Sequence, residues 1–259
     1  MAKIPTDEVA GGREIDKEES VALLEGHKVS KSFGGVQALS QVDFAVEKGT
    51  IVGLIGPNGA GKTTLFNAVA GALKPTSGRV VFDEADITGF PANAVCRLGI
   101  ARTFQVTRPF AAMTCIENVM VAVINRHPEK PRPLIESSAR EKLSLVGLAE
   151  MGGVEARHLN VIQKKRLELA RALATEPKLL MLDEVLGGLN TQEIYQAVAF
   201  IRRLRDELGL TVLWIEHVMG AIMPAAERLI VLDQGQVLMV GTPNEVVRDA
   251  RVIQAYLGE

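Results

Sequence analysis

Ile51-Val52-Gly53-Leu54-Ile55-Gly56-Pro57-Asn58-Gly59-Ala60-Gly61-Lys62-Thr63-Thr64 is the stretch that decides the fold of this chain. Ile51–Ile55 is a continuous apolar run, the pattern of a strand buried on both faces, as in a parallel sheet. Gly56–Thr63 then fits G-x-x-x-x-G-K-[ST] at every position. Glycines let the backbone curl until successive N–H groups face one anion, at a helix N-terminus whose dipole favours negative charge. In such a loop Lys62 reaches the β- and γ-phosphates of a nucleotide and the Thr63 hydroxyl ligates Mg²⁺. A helix is expected from Lys62 to about Ala72. Strand, loop and helix together make a phosphate-binding α/β unit. Its candidate nucleotide contacts are Gly56, Pro57, Asn58, Gly59, Ala60, Gly61, Lys62, Thr63 and Thr64.

Outward from the loop, Val21–Val29 and Val42–Val46 read as strands and Gly49 as a turn. Lys74-Pro75-Thr76-Ser77-Gly78 is a turn, and Arg79–Phe82 returns as a strand. Residues 106–176 differ. They carry helical periodicity, a proline-rich break at His127–Pro133 and no convincing strand, so they predict a helical subdomain inserted into the α/β core. From Lys178 the α/β pattern resumes. It predicts a strand over Leu179–Leu182, a helix near Gln192–Leu208, strands over Thr211–Ile215 and Leu229–Leu232, a turn at Asp233–Gly235 and a strand over Gln236–Val240. There are no internal repeats.

Composition excludes several classes. The 259 residues are 47% hydrophobic and 23% charged, and the formal net charge of −2 gives no sign of a nucleic-acid partner. Cys96 and Cys115 form no CxxC and have no nearby His pair, so they read as ordinary thiols of a reducing compartment. No stretch approaches the roughly 20 apolar residues of a membrane helix. Residues 1–20 have no apolar segment of a secretory signal and read as a mobile, charged tail ahead of a domain over 21–259. The expected location is therefore cytoplasmic, with any membrane contact made through another protein.

Two further elements carry chemistry. Leu179-Leu180-Met181-Leu182-Asp183-Glu184 is an apolar strand ending in two acids. Asp183 suits a second Mg²⁺ contact, and Glu184 can polarise an attacking water as general base. His217 ends the strand Val212-Leu213-Trp214-Ile215-Glu216, which carries it to the sheet edge where Asp183 and Ile55 also lie. It is a candidate γ-phosphate contact.

With Gln105 in Ala101-Arg102-Thr103-Phe104-Gln105, these elements resemble the Walker A, Q-loop, Walker B and switch histidine of ABC ATPases, in matching order and spacing from about residue 21. Lys31-Ser32-Phe33-Gly34-Gly35-Val36, Glu117-Asn118-Val119 and Val252-Ile253-Gln254-Ala255-Tyr256-Leu257-Gly258 resemble the branched-chain amino-acid importer ATPases within that family. The resemblance implies ATP and Mg²⁺ as cofactors and a dimer of cassettes. Its implied partners are transmembrane permease subunits and, indirectly, a solute-binding protein, with the chain peripheral on the inner face of the membrane. It implies that Phe33 stacks on adenine and that Gln105 touches Mg²⁺ and links hydrolysis to the helical subdomain. It also places Gly187-Gly188-Leu189-Asn190 as the D-loop, with Asn190 where Asp is usual.

One motif departs from the family. Where members carry a phrase near Leu-Ser-Gly-Gly-Gln, this chain has Leu159-Asn160-Val161-Ile162-Gln163. Asn160 and Gln163 predict a capped helix start and remain candidate nucleotide contacts. Val161 and Ile162 replace the glycines, and β-branched residues do not allow close backbone approach. Lys164-Lys165-Arg166 reads as a solvated helix face. The expected fold is α/β: a P-loop NTPase core of the ABC ATPase type, with an antiparallel β layer and the inserted helical subdomain. Transport-coupled ATP hydrolysis is the expected function. A soluble ABC ATPase acting on nucleic acid or ribosomes would carry a second cassette or coiled-coil insertions. A small-molecule phosphotransferase would need neither Gln105 nor His217.

Overall fold

Around β3 (Ile51–Ile55), all five residues of which are buried, the parallel neighbours are β8 (Thr211–Ile215) and β9 (Arg228–Asp233). β7 (Leu179–Asp183) and β6 (Ile100–Arg102) extend the sheet on one side and the antiparallel β10 (Gln236–Gly241) on the other, giving six strands in the order β10-β9-β3-β8-β7-β6. These are the coordinates of a computed structural model, which describes residues 22–257; the expected tail over 1–20 lies outside the described residues.

The apolar runs are continuous because alternate side chains enter different cores. Ile51, Ile55, Leu180, Leu182, Val212 and Trp214 face the helical side of the molecule. Val52, Leu54, Leu179, Met181, Leu213 and Ile215 face Phe66, Phe82 and Leu24 on the other side. That second core is closed by the expected antiparallel layer, a four-stranded sheet in the order β2-β1-β4-β5. Its strands are β1 (Ala22–Phe33), β2 (Val36–Glu47), β4 (Ser77–Phe82) and β5 (Ala85–Asp86).

Several elements run longer or shorter than their sequence pattern. β1 and β2 continue to a tight turn at Gly34-Gly35, past the segments Val21–Val29 and Val42–Val46, because Lys31, Ser32, Phe33 and Gln37 pair through the backbone while their side chains stay outside the core. Helix α1 (Lys62–Val69) stops before Ala72: Gly71 has φ 70°, and a Cβ there would lie 2.5 Å from the Phe90 carbonyl oxygen. Helix α2 (Ala92–Leu98) and the three-residue β6 were not expected, since neither is long enough to show a period.

The inserted subdomain is helical as expected, with α3 (Cys115–Arg126), α4 (Arg132–Leu145) and α5 (Val161–Leu173). The proline-rich break separates α3 from α4, and Pro133 sits in the first turn of α4, where a missing N–H costs nothing. Asn118, fully buried, explains part of the Glu117-Asn118-Val119 phrase. Its Oδ1 accepts from the Phe110 N–H at 2.8 Å, and its Nδ2 donates to the carbonyls of Phe110 at 3.1 Å and Thr114 at 3.0 Å. Asn118→Ala is expected to cost about 1–3 kcal/mol, since it leaves the Phe110 N–H without its acceptor. Urea unfolding measures it. Four helices follow among the described residues: α6 (Thr191–Leu208), α7 (Met219–Ala225), α8 (Pro243–Val246) and α9 (Ala250–Leu257).

Candidate nucleotide site

Register brings the chemistry together. Leu54 of β3 and Asp183 of β7 both pair with Ile215 of β8, so three strands end at one edge of the sheet. The loops after β3, β7 and β8 therefore converge where open α/β sheets bind ligands.

In the first loop Gly56, Gly59 and Gly61 have φ of 146°, 82° and 100°. Glycine is required at two of them by contact as well: a Cβ at Gly56 would lie 2.0 Å from the Leu232 carbonyl oxygen, and one at Gly61 2.6 Å from the Ala38 oxygen. Gly61 caps α1 with no side-chain hydrogen bond, so the first amides of that helix face the loop without a side-chain acceptor. Asn58, Gly59 and Thr63 are exposed, Pro57 and Thr64 half-buried, and Ala60 buried. Lys62 is buried, and its Nζ donates to the carbonyls of Gly56 at 2.7 Å and Pro57 at 2.9 Å. Burial lowers its pKa below the ordinary lysine value, while the Glu184 carboxylate opposes that shift.

Asp183, also buried, accepts from the Arg102 guanidinium at 2.7 Å. Arg102 also donates to Asn67 Oδ1 and lies against the rings of Phe66 and Phe104. Glu184 follows in a left-handed conformation, φ 47°, its N–H donating to the Ile215 carbonyl at 3.0 Å. Its Oε2 accepts from Gln105 Nε2 at 2.5 Å, and its Oε1 lies 3.9 Å from His217 Nδ1. Glu184, Gln105 and His217 thus lie together at this edge.

Phe33 stands apart from this cluster, at the end of β1. Its ring is 50% exposed with Lys31 Nζ 5.1 Å from the centroid, on a surface able to take a planar partner. Asn160 and Gln163 form the predicted capping box at the start of α5, with bonds of 2.9 and 3.0 Å. Asn190 makes the same kind of box with Glu193 at the start of α6.

The basic run after Gln163 is not simply a solvated face. Lys165 Nζ donates to the carbonyls of Val185 and Gly187, tying α5 to the segment after Glu184. From the opposite side the fully buried Glu216 accepts from the Leu186 N–H at 3.1 Å, and burial raises its pKa. Sequence reasoning gave no role to Arg102, Lys165 or Glu216. Only Glu216 carried a signal, an acid directly after an otherwise apolar strand.

Among the described residues no group of three or more His, Cys, Asp or Glu side chains is placed to hold a metal by itself. The donor set here, a loop threonine and one carboxylate, is the kind that holds Mg²⁺ together with phosphate oxygens.

Comparison with known proteins agrees with this geometry. Residues 39–187 match the family model described as ABC transporter, and residues 236–259 match that of branched-chain amino acid ATP-binding cassette transporters. The chain is 39% identical over 251 residues to BraF of Pseudomonas aeruginosa, a high-affinity branched-chain amino acid transport ATP-binding protein, covering 92% of this chain and 98% of that one. Identity to LivG of Escherichia coli strain K12, of the same description, is 38% over 253 residues, covering 93% and 99%. The crystal structure of MJ1267, an ATP-binding cassette of an ABC transporter in its ADP conformation, superposes with a TM-score of 0.83 at 30% identity, over 93% of this chain and all of that one. The chain belongs to the ABC transporter family, as one of its ATP-binding cassettes.

Proposed function

We propose that this chain hydrolyses MgATP in a dimer of cassettes, and that the cycle drives import of a branched-chain or other hydrophobic amino acid through transmembrane permease subunits. A solute-binding protein would deliver the solute. The observation that carries the reading is the meeting of the loop over 56–64 with Gln105, Asp183, Glu184 and His217 at one sheet edge. The amino-acid class rests on relatives matched over nearly their whole length. No helix among the described residues is long and apolar enough to cross a membrane, so the permeases supply the membrane contact at the inner face.

Each side chain then has a role. Lys62 passes its N–H donors from two loop carbonyls to the β- and γ-phosphates, and the loop amides cradle the same oxygens. Phe33 stacks on adenine. Thr63 and Asp183 would hold Mg²⁺ with help from Gln105, Asp183 giving up its bond to Arg102 to do so. Mg²⁺, when bound, neutralises charge on the β- and γ-phosphates. Glu184 takes a proton from the attacking water, while Gln105 orients that carboxylate and His217 contacts the γ-phosphate. Purification from membranes with its partners, followed by ATP-dependent uptake of labelled leucine into proteoliposomes, tests the whole reading. Uptake that ignores ATP, or no associated permease, would reject it.

The departure at Leu159–Gln163 bears on the partner. Asn160 caps α5, but Val161 is exposed where the family has glycine at the phosphate clamp. A homodimer would have two weakened clamps, and losing one preorganised donor typically costs about 2.7–4 kcal/mol. The second subunit is therefore a different cassette, whose intact clamp closes on the ATP of this chain. The purified protein alone is expected to hydrolyse ATP slowly. Combining Asn160→Ser, Val161→Gly and Ile162→Gly should raise that rate. Fast, cooperative hydrolysis by the unmixed wild type would overturn the heterodimer.

A further inference from the structure

Gly56 opens the phosphate loop, and its N–H donates to Tyr256 Oη at 2.7 Å, across 200 positions of sequence. The bond joins the first peptide of the loop to α9, the last helix described. Gly56 is buried, and a buried amide without a partner is costly. Its carbonyl, meanwhile, accepts from Lys62 Nζ at 2.7 Å. The peptides on both sides of Gly56 are thus held, one by the helix and one by the lysine that faces the phosphates. The approach of the Leu232 carbonyl oxygen leaves no room for the residue to shift toward β9.

The helix at the other end of this bond is weakly anchored. It has eight residues, too few to be stable alone. Val252 is its one buried residue, while Leu257 is 80% and Ile253 44% exposed. At its start Asp249 accepts from the N–H and the guanidinium of Arg251. Tyr256 is 39% exposed as a residue, and partial burial raises its pKa while the Gly56 N–H opposes the shift. A short helix held mainly by Val252 and Tyr256 undocks at low cost, and undocking frees the first amide of the loop.

We propose that α9 is a working part of the nucleotide site. Tyr256 is a positioning residue that sets the first peptide of the phosphate loop, so docking of the C-terminal helix and nucleotide affinity are linked. The linkage is reciprocal. Nucleotide bound to the loop should hold α9 down, and loosening α9 should weaken nucleotide binding. The proposal rests on the nucleotide reading of Gly56–Thr64.

Tyr256→Phe removes the hydroxyl and keeps the ring, and its effects can be read in the full-length protein. MgADP affinity by calorimetry is expected to fall by about five- to tenfold, the effect of one lost hydrogen bond. In the assembled transporter KM for ATP should rise by a similar factor while kcat stays within about twofold. Hydrogen exchange of the α9 amides should slow on MgADP addition in the wild type and much less in the variant. Val252→Ala loosens the helix without touching Gly56, and should also weaken MgADP binding. A purely structural hydroxyl would lower the melting temperature yet leave affinity and nucleotide-dependent exchange unchanged, and that result would overturn the proposal. Failure of the wild type to bind MgADP or MgATP would instead remove the loop assignment beneath it.

Discussion

Lys62→Ala is expected to abolish tight MgATP binding. Burial already disfavours the charge of this ammonium, and two loop carbonyls hold it in place. The energy it brings to a phosphate is therefore concentrated in short, charge-assisted bonds in a partly desolvated setting. Two such bonds at about 1.5–3 kcal/mol each correspond to a loss of roughly 10²-fold or more in affinity. The fold itself should tolerate the change, since removing a buried charge also removes its desolvation cost. Calorimetric titration of the purified variant with MgATP decides the matter. Affinity within a few-fold of wild type would show that Lys62 does not face the phosphates.

Glu184→Gln should leave MgATP binding intact and cut turnover by about 10²–10⁴-fold, the range typical of a positioned general base. The substitution keeps the shape of the side chain and an oxygen able to accept from Gln105, so the bond now seen at 2.5 Å has a counterpart in the variant. What disappears is the capacity to take a proton. The left-handed backbone at this position, φ 47°, aims the carboxylate off the end of β7 and is unaffected by the exchange. Steady-state hydrolysis in the assembled transporter, with binding measured in parallel, separates the two effects. Turnover close to wild type would move the base elsewhere, and His217, 3.9 Å from the same carboxylate, is the next candidate.

The sequence by itself determined the sheet core and the inserted helical subdomain, and it named candidate residues that the fold brings to one sheet edge. These are local properties. A run such as Ile51–Ile55 has no polar face because it has no solvent face, and a glycine pattern followed by Lys62 leaves the backbone few conformations. The Asn160–Gln163 capping box was equally legible, since its partners lie three residues apart on one turn. Elements made by pairing across space escaped notice. β6 has three residues and exists because β7 offers it a ladder, and the outer ends of β1 and β2 pair through their backbones without an alternating apolar pattern.

Only the tertiary structure decided what each charged group does. Lys165 looked like one of three solvated cations, yet it bonds the segment after Glu184. Arg102 lay in a quoted phrase without a role and turns out to hold Asp183. Tyr256 entered only as part of the family resemblance, and its hydroxyl meets the first amide of the phosphate loop. The physical reason is common to all three. Spacing along the chain reports which face of a helix or strand a residue takes, whereas the partner of a long polar side chain is set by register between elements far apart in sequence. A cation or hydroxyl partly drawn out of water finds a partner somewhere, and folding chooses which one.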